Sequence, residues 1–187
     1  MVILGFASAD MFLNMLEFAP YPKPRFDLVR NKLKLKNIPV PSIASVLKQE
    51  PYRLKIIDSA SIFYDDYYWR NEKADKSEKR RKLTAAILDQ IVEVIRSCHA
   101  RPVFVYIFSP QEIKMIDRGN KDAESFLLRY CRSRGIPYLS TGAYFFEALS
   151  KDIRLEDEGY GEAQRNRIIA QTIRDYLLSP EEENARR

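Results

Sequence analysis

Apolar residues are grouped in two ways along the chain, and each grouping predicts a different kind of element. Continuous apolar runs at residues 2–6 and 102–108 are typical of strands that are covered on both faces of a parallel sheet. Apolar positions that repeat every three or four residues predict amphipathic helices instead. The clearest such stripe consists of Leu83, Ile87, Ile91, Val94 and Ile95.

The remaining segments complete an alternation of helices and strands. Period-two alternation on both sides of Arg30-Asn31 predicts a β-hairpin. Residues 136–139 are predicted to form a third short strand, after a helix that we expect Gly135 to cap. Helical spacing is found at residues 10–18, 42–69, 121–134, 142–149 and 162–178. Helices that alternate with buried strands predict a layered α/β fold with a parallel sheet. We expect one domain over residues 1–178, a hairpin insertion at about 20–42 and a frayed tail at 179–187.

The composition limits the kinds of catalytic and metal sites that the chain could form. The chain has 187 residues, 45% hydrophobic, and a net charge of 31 − 26 = +5. His99 is the single histidine, so a Ser-His-Asp site would have to use it. However, His99 follows a predicted helix at the edge where parallel strands begin, whereas α/β ligand sites usually lie where the strands end. Cys98 and Cys131 have neither zinc-site nor disulfide-framework spacing, and we expect no cofactor.

The sequence also indicates where the protein is located and whether it binds membranes or nucleic acids. No apolar run approaches the ~20 residues of a membrane span, and residues 1–9 lack the basic start of a signal peptide, so a cytoplasmic protein is expected. The charge run at residues 70–82 has no interleaved aromatic residues or glycine-rich loop. It is interpreted as a solvated loop and helix start rather than a nucleic-acid site.

Three segments, taken in order, carry a more specific pattern. An apolar strand ends in Ser8-Ala9-Asp10 and is followed by Asn14; a proline-rich hairpin region follows; and Asp157-Glu-Gly-Tyr160 precedes the last helix. The order and letters resemble the SGNH/GDSL hydrolase family, in particular a bacterial branch with such an insertion. The resemblance implies a three-layer α/β/α, flavodoxin-like fold and an esterase or acyl-hydrolase ancestry, with Asp157 and Tyr160 at the family's Asp and His positions.

The departures from the family pattern are as informative as the matches. The family's nucleophilic serine belongs to a Gly-Asp-Ser segment on an earlier strand, which this sequence does not contain; Ile57-Asp58-Ser59 imitates it in a helical stretch. Ala9 stands where the family has its oxyanion asparagine, and Tyr160 stands where it has its histidine. A tyrosine with an ordinary pKa of about 10 is a poor general base near neutral pH. The chain is therefore expected to be a truncated or degenerate hydrolase, inactive in isolation.

Two other functions stay open. The first strand begins at the first residue, and an uncovered parallel edge at Val2–Phe6 could pair with a second copy or accept a partner's strand, which would make the chain a non-catalytic assembly protein. Alternatively, Asp10, Asp157, Glu158 and Tyr160 could support unfamiliar chemistry with Mg²⁺, although no metal-ligand spacing favours it.

Overall fold

The computed structural model describes residues 1–16, 22–42, 44–45, 74–109, 112, 122–151 and 160–179. The backbone groups into two compact units: a sheet unit of residues 1–8 and 94–187, and a hairpin unit of residues 9–93. The predictions at residues 46–73 and at Asp157 lie outside the described residues, and the expectation of one domain stays a prediction. In chain order the elements are β1 (Val2–Phe6), α1 (Ser8–Leu13), β2 (Arg25–Val29), β3 (Lys32–Lys36), α2 (Ala74–Ser97), β4 (Pro102–Tyr106), α3 (Asp122–Ser133), β5 (Tyr138–Ser140), α4 (Gly142–Ser150) and α5 (Tyr160–Leu178).

A three-stranded parallel sheet forms the core of the sheet unit. β4 lies between β1 and β5, and every residue of β4 is buried. An apolar run of this kind needs cover on both faces and neighbours on both sides, which β4 has. The predicted α/β class, with a short parallel sheet and a separate antiparallel hairpin, is confirmed.

β1 is more exposed than its apolar sequence suggests. Among the described residues it pairs with β4 alone. The Val2 N–H and the Phe6 carbonyl both bond toward the β4 segment, each at 2.8 Å. Because neighbouring residues of a strand direct their backbone groups to opposite sides, the N–H and C=O groups of Ile3 and Gly5 point away from β4.

Aromatic side chains join α3 to one face of the sheet. The Phe104 and Tyr130 rings meet edge-on with centroids 6.1 Å apart, and the Phe6 and Phe126 rings lie 6.4 Å apart. Such pairs add to the hydrophobic stabilisation from burial. The same face continues past the end of β4, where Phe108 lies edge-on to the Tyr106 ring at 4.9 Å.

The hairpin unit contains the predicted β-hairpin. β2 and β3 pair in an antiparallel register that sets Val29 opposite Lys32. The two connecting residues, Arg30 and Asn31, have φ values of 51° and 61°. Positive φ at both central residues is the type I′ turn, whose twist matches that of a hairpin.

Helix α2 follows the predicted stripe with one error. Leu83, Ile87 and Ile95 are buried as expected, but Val94 is 56% exposed, and its place in the core is taken by Val92. A residue at 94 lies about 200° around the helix from one at 92, so the two cannot share a face. No described helix is long and apolar enough to cross a membrane.

Helices α2 and α3 end in the same kind of turn. His99 follows α2 with φ 55°, and Gly135 follows α3 with φ 61°. The Ala100 N–H donates to the Ile95 carbonyl at 3.1 Å, and the Ile136 N–H closes the second turn in the same way at 3.0 Å. These bonds define Schellman motifs, which satisfy carbonyls left unpaired at a helix end. The predicted C-cap at Gly135 is confirmed.

Candidate functional site

The carboxyl ends of the three parallel strands bring polar side chains together. Phe6, Tyr106 and Ser140 occupy one register line across the sheet at this end. Thr141 links the end of β5 to the end of β4, because its Oγ1 donates to the Tyr106 carbonyl oxygen at 2.9 Å. Parallel α/β folds form ligand sites at this edge, where loops leave the strands. The polar residues gathered here are called the carboxyl-edge cluster: Ser8, Tyr106, Glu112, Glu124, Tyr138 and Ser140.

Ser8 and a phenol–carboxylate hydrogen bond make up the first half of the cluster. The Ser8 side chain lies close enough to the Tyr106 phenol to lower its pKa slightly, against the larger opposite effect of burial. The phenol donates to Glu112 Oε1 at 2.5 Å. Tyr106 is only 1% exposed, whereas Ser8 and Glu112 are half-buried. A buried phenol beside Ser8 therefore donates its proton to a carboxylate in a hydrogen bond.

Glu112 is held in place by a local motif. Its Oε2 accepts from the Ser109 N–H at 2.9 Å, and its own N–H donates to Ser109 Oγ at 3.2 Å. This reciprocal pair is the capping box, which satisfies backbone donors at the start of a helix. One carboxylate oxygen thus has a structural role, and the other is directed to Tyr106.

Glu124 organises the second half of the cluster in a similar way. Its Oε1 accepts from Tyr138 Oη at 3.0 Å and from Ser140 Oγ at 2.6 Å. Ser140 Oγ also accepts the N–H of Gly142 at 3.1 Å, which fixes the hydroxyl at the start of α4. Each carboxylate of the cluster therefore accepts a hydrogen bond from a phenol.

Burial and the carboxylates keep both phenols protonated. Burial is the main reason that the pKa of Tyr106 is raised well above its ordinary value, and Glu112 raises it further. Burial likewise raises the pKa of Tyr138, with Glu124 contributing in the same direction. A carboxylate next to a phenol disfavours the phenolate because like charges repel. Both tyrosines act as hydrogen-bond donors near neutral pH.

Of the predicted site residues whose side chains the structure describes, only Ser8 belongs to this cluster. Ala9 is exposed on α1, and the Asn14 N–H donates to the Asp10 carbonyl at 3.2 Å at the end of that helix. Tyr160 begins α5, with its side chain outside the described residues, as is all of Asp157. The predicted roles of Asp157 and Tyr160 stay predictions.

Five residues of the cluster were not predicted as functional: Tyr106, Glu112, Glu124, Tyr138 and Ser140. One local signal was available, since the Ser-Pro-Gln-Glu sequence ending at Glu112 has the spacing of a capping box. The other four are drawn together by the strand order and by the packing of α3. Within the described part of the chain, no group of three His, Cys, Asp or Glu residues could hold a metal ion.

Comparison with known proteins assigns the chain to no family. The sequence matches no protein-family model and no curated protein, and the fold matches no solved structure.

Proposed function

We propose that the protein is SGNH/GDSL hydrolase-like, with that family's three-layer fold, and that the isolated chain does not hydrolyse esters. One observation carries the expected inactivity: the Ser8 side chain lies beside a phenol whose own proton is directed to Glu112. The parallel strand order, with β1 preceding β4 and β5, is compatible with the later half of such a sheet.

The hydrogen bond from Tyr106 to Glu112 explains the expected lack of catalysis. A serine nucleophile must give its proton to a nearby base as it attacks. Tyr106 can take that proton only if its own proton passes to Glu112 at the same time. Because its pKa is raised, Tyr106 stays protonated, and no phenolate is present to act as the base. Ala9 also offers no side-chain donor for an oxyanion, and losing one such donor typically costs about a hundred- to a thousand-fold in rate.

The proposal is tested by comparing the chain with Ser8→Ala. We expect equal rates of p-nitrophenyl acetate and p-nitrophenyl butyrate hydrolysis, both at the level of buffer, and no labelling by a fluorophosphonate probe. Thermal unfolding of both proteins checks that they are folded. A rate for the unchanged chain more than about tenfold above that of Ser8→Ala, or labelling of Ser8, would overturn the proposal, because either requires an activated serine.

A second candidate function is assembly through β1. The observation that favours it is the direction of the Ile3 and Gly5 backbone groups, which point away from β4. A strand edge with unpaired donors and acceptors readily adds another strand. In an antiparallel pair of two copies about a two-fold axis at Leu4, Ile3 of each copy would bond Gly5 of the other.

Proline substitutions test this assembly directly. Ile3→Pro removes an N–H that points away from β4, so the bonds within the sheet remain while the edge loses a donor. Leu35→Pro is the matched control: in this two-residue hairpin, Leu35 lies in a pair that exchanges no hydrogen bonds, so its N–H points away from β2. Sedimentation velocity at micromolar concentration should show a dimer that Ile3→Pro dissociates and Leu35→Pro does not. A monomer throughout, or dissociation by Leu35→Pro alone, would contradict assembly through β1.

A further inference from the structure

A cavity lies at the opposite end of the sheet from the carboxyl-edge cluster. It occupies about 570 Å³ where α2 and α3 end and β4 begins. Volumes of this size are typical of sites for small organic molecules. The described residues that line it are Arg96, His99, Ala100, Arg101, Pro102, Gly135, Ile136 and Pro137.

The lining has a basic side and an apolar side. Arg96, Arg101 and His99 supply the ionisable groups, and none of the described lining residues is acidic. Pro137 is half-buried and supplies apolar surface, while the neighbouring lining residues Pro102 and Ile136 are buried. Guanidinium groups recognise phosphate and carboxylate groups through paired hydrogen bonds, so this combination suits a ligand with an anionic and an apolar part.

The two helix ends that border the cavity carry partial negative charge, which opposes an anion. That effect is reduced here because the Schellman amides already bond to the carbonyls of Ile95 and Cys131. Arg96 contributes as well, since its Nη2 donates to the Arg134 carbonyl at 3.4 Å. Arg96 carries a full formal charge, whereas a helix end carries about half a charge.

His99 occupies a position that favours glycine. Its φ of 55° lies in the left-handed region, and the equivalent position after α3 is Gly135, with φ 61°. Glycine adopts this conformation without the steric cost that a side chain incurs. The chain's only histidine thus stands where glycine would fit the turn better, and it lines the cavity.

We propose that this cavity binds a small organic phosphate monoester. The phosphate contacts Arg96, Arg101 and His99, and the organic group lies against Pro137. The proposal does not depend on the hydrolase-like fold or on assembly through β1.

The experiment uses the single histidine as its reporter. The imidazole Hε1 proton gives a single assigned signal in the NMR spectrum of the full chain. This signal is followed at fixed pH and fixed ionic strength. Phenyl phosphate should shift this signal saturably, inorganic phosphate should do so with several-fold weaker affinity, and phenol should not shift it. The same shift with sodium chloride alone, or no saturable shift with phenyl phosphate, would overturn the proposal.

Two variants separate binding from folding. Arg96→Gln should weaken phenyl phosphate binding by roughly tenfold, the usual effect of losing a hydrogen bond to a charged group. Arg129→Gln, at an exposed arginine of α3 that does not line the cavity, is the matched control and should bind normally. Equal weakening by both variants would indicate a general charge effect and contradict the proposal.

The substitution His99→Gly gives the sharpest distinction. If the histidine is present for the ligand, this variant should unfold at an equal or higher temperature, because glycine suits the turn, yet bind phenyl phosphate more weakly by calorimetry. If the variant instead unfolds at a lower temperature and binds as tightly as the unchanged chain, the histidine has a structural role only and the proposed contact is wrong.

Discussion

At the scale of single residues, two buried groups and one half-buried group have raised pKa values that connect folding to alkaline pH. Burial raises the pKa of Cys131 to about 12, and burial together with a neighbouring carboxylate raises that of Tyr106 and of Tyr138. In the unfolded chain these groups lose their protons at their ordinary values, near 8.5 for a thiol and 10 for a phenol. Above those values the unfolded state binds fewer protons than the folded state, so stability falls as pH rises.

We therefore predict that Tyr106→Phe flattens the loss of stability above pH 10. A buried tyrosine that stays protonated lowers the free energy of unfolding by about 1.4 kcal/mol for each pH unit above its unfolded pKa. Phenylalanine has no proton to lose, so that contribution disappears, although the variant is less stable at pH 7 because Glu112 loses a hydrogen-bond donor. Urea unfolding between pH 8 and pH 11 measures both effects.

The control for this prediction is Tyr144→Phe. The pKa of Tyr144 is raised mainly by its hydrogen bond to Asp175, at a site where burial contributes less. Solvent screening makes such a surface interaction weak, so this variant should keep nearly the full alkaline slope. Equal slopes for all three proteins would show that Tyr106 ionises in the folded state as readily as in the unfolded one.

At the scale of elements, patterns local in sequence were predicted well and patterns that depend on distant contacts were not. The hairpin around Arg30-Asn31 and the buried strand after Arg101 follow from alternation and from a continuous apolar run, which need no knowledge of neighbours. Helix α1 was expected from residue 10 and begins at Ser8, because the chain turns into a helix directly at the end of β1.

The carboxyl-edge cluster could not be predicted in the same way. Ser8, Tyr106 and Glu112 are separated by up to 104 positions in the sequence, from 8 to 112, and meet because β1 and β4 are neighbours in parallel register. Strand order is set by packing across the whole sheet, and no spacing in the sequence encodes it. The single histidine was placed correctly because a helix end followed by a buried strand is a local signal.

The hairpin turn leads to an element-scale prediction. Arg30 and Asn31 both have positive φ, and asparagine followed by glycine is the preferred pair for this turn. The double substitution Arg30→Asn with Asn31→Gly should stabilise the hairpin by about 1 kcal/mol, because arginine is strained in the left-handed region. Urea unfolding measures the gain.

A matched substitution in the adjoining strand keeps that prediction specific. Lys34→Asn introduces the same new residue at an exposed position of β3, where asparagine is a poor strand former. It should lower the stability slightly or leave it unchanged. A gain from Lys34→Asn equal to that of the turn variant would mean that a change in charge, rather than turn geometry, is responsible.

At the scale of the whole molecule, charge and backbone pairing act in opposite directions on self-association. The net charge is +5 at pH 7, which makes copies repel one another, while an edge at β1 offers backbone hydrogen bonds that do not change with pH in this range. The isoelectric point is near 9.1, so the repulsion falls toward zero as pH rises from 7 to 9.

The proposed β1 pairing therefore predicts that the dimer becomes tighter between pH 7 and pH 9. Added salt at pH 7 should have the same effect, because it screens the repulsion between exposed charges. Sedimentation at several protein concentrations measures the change, with a reducing agent present because Cys98 is an exposed free thiol. Ile3→Pro should stay monomeric at both pH values. If that variant associates at pH 9 as strongly as the unchanged chain, the association comes from the loss of net charge, and pairing through β1 is wrong.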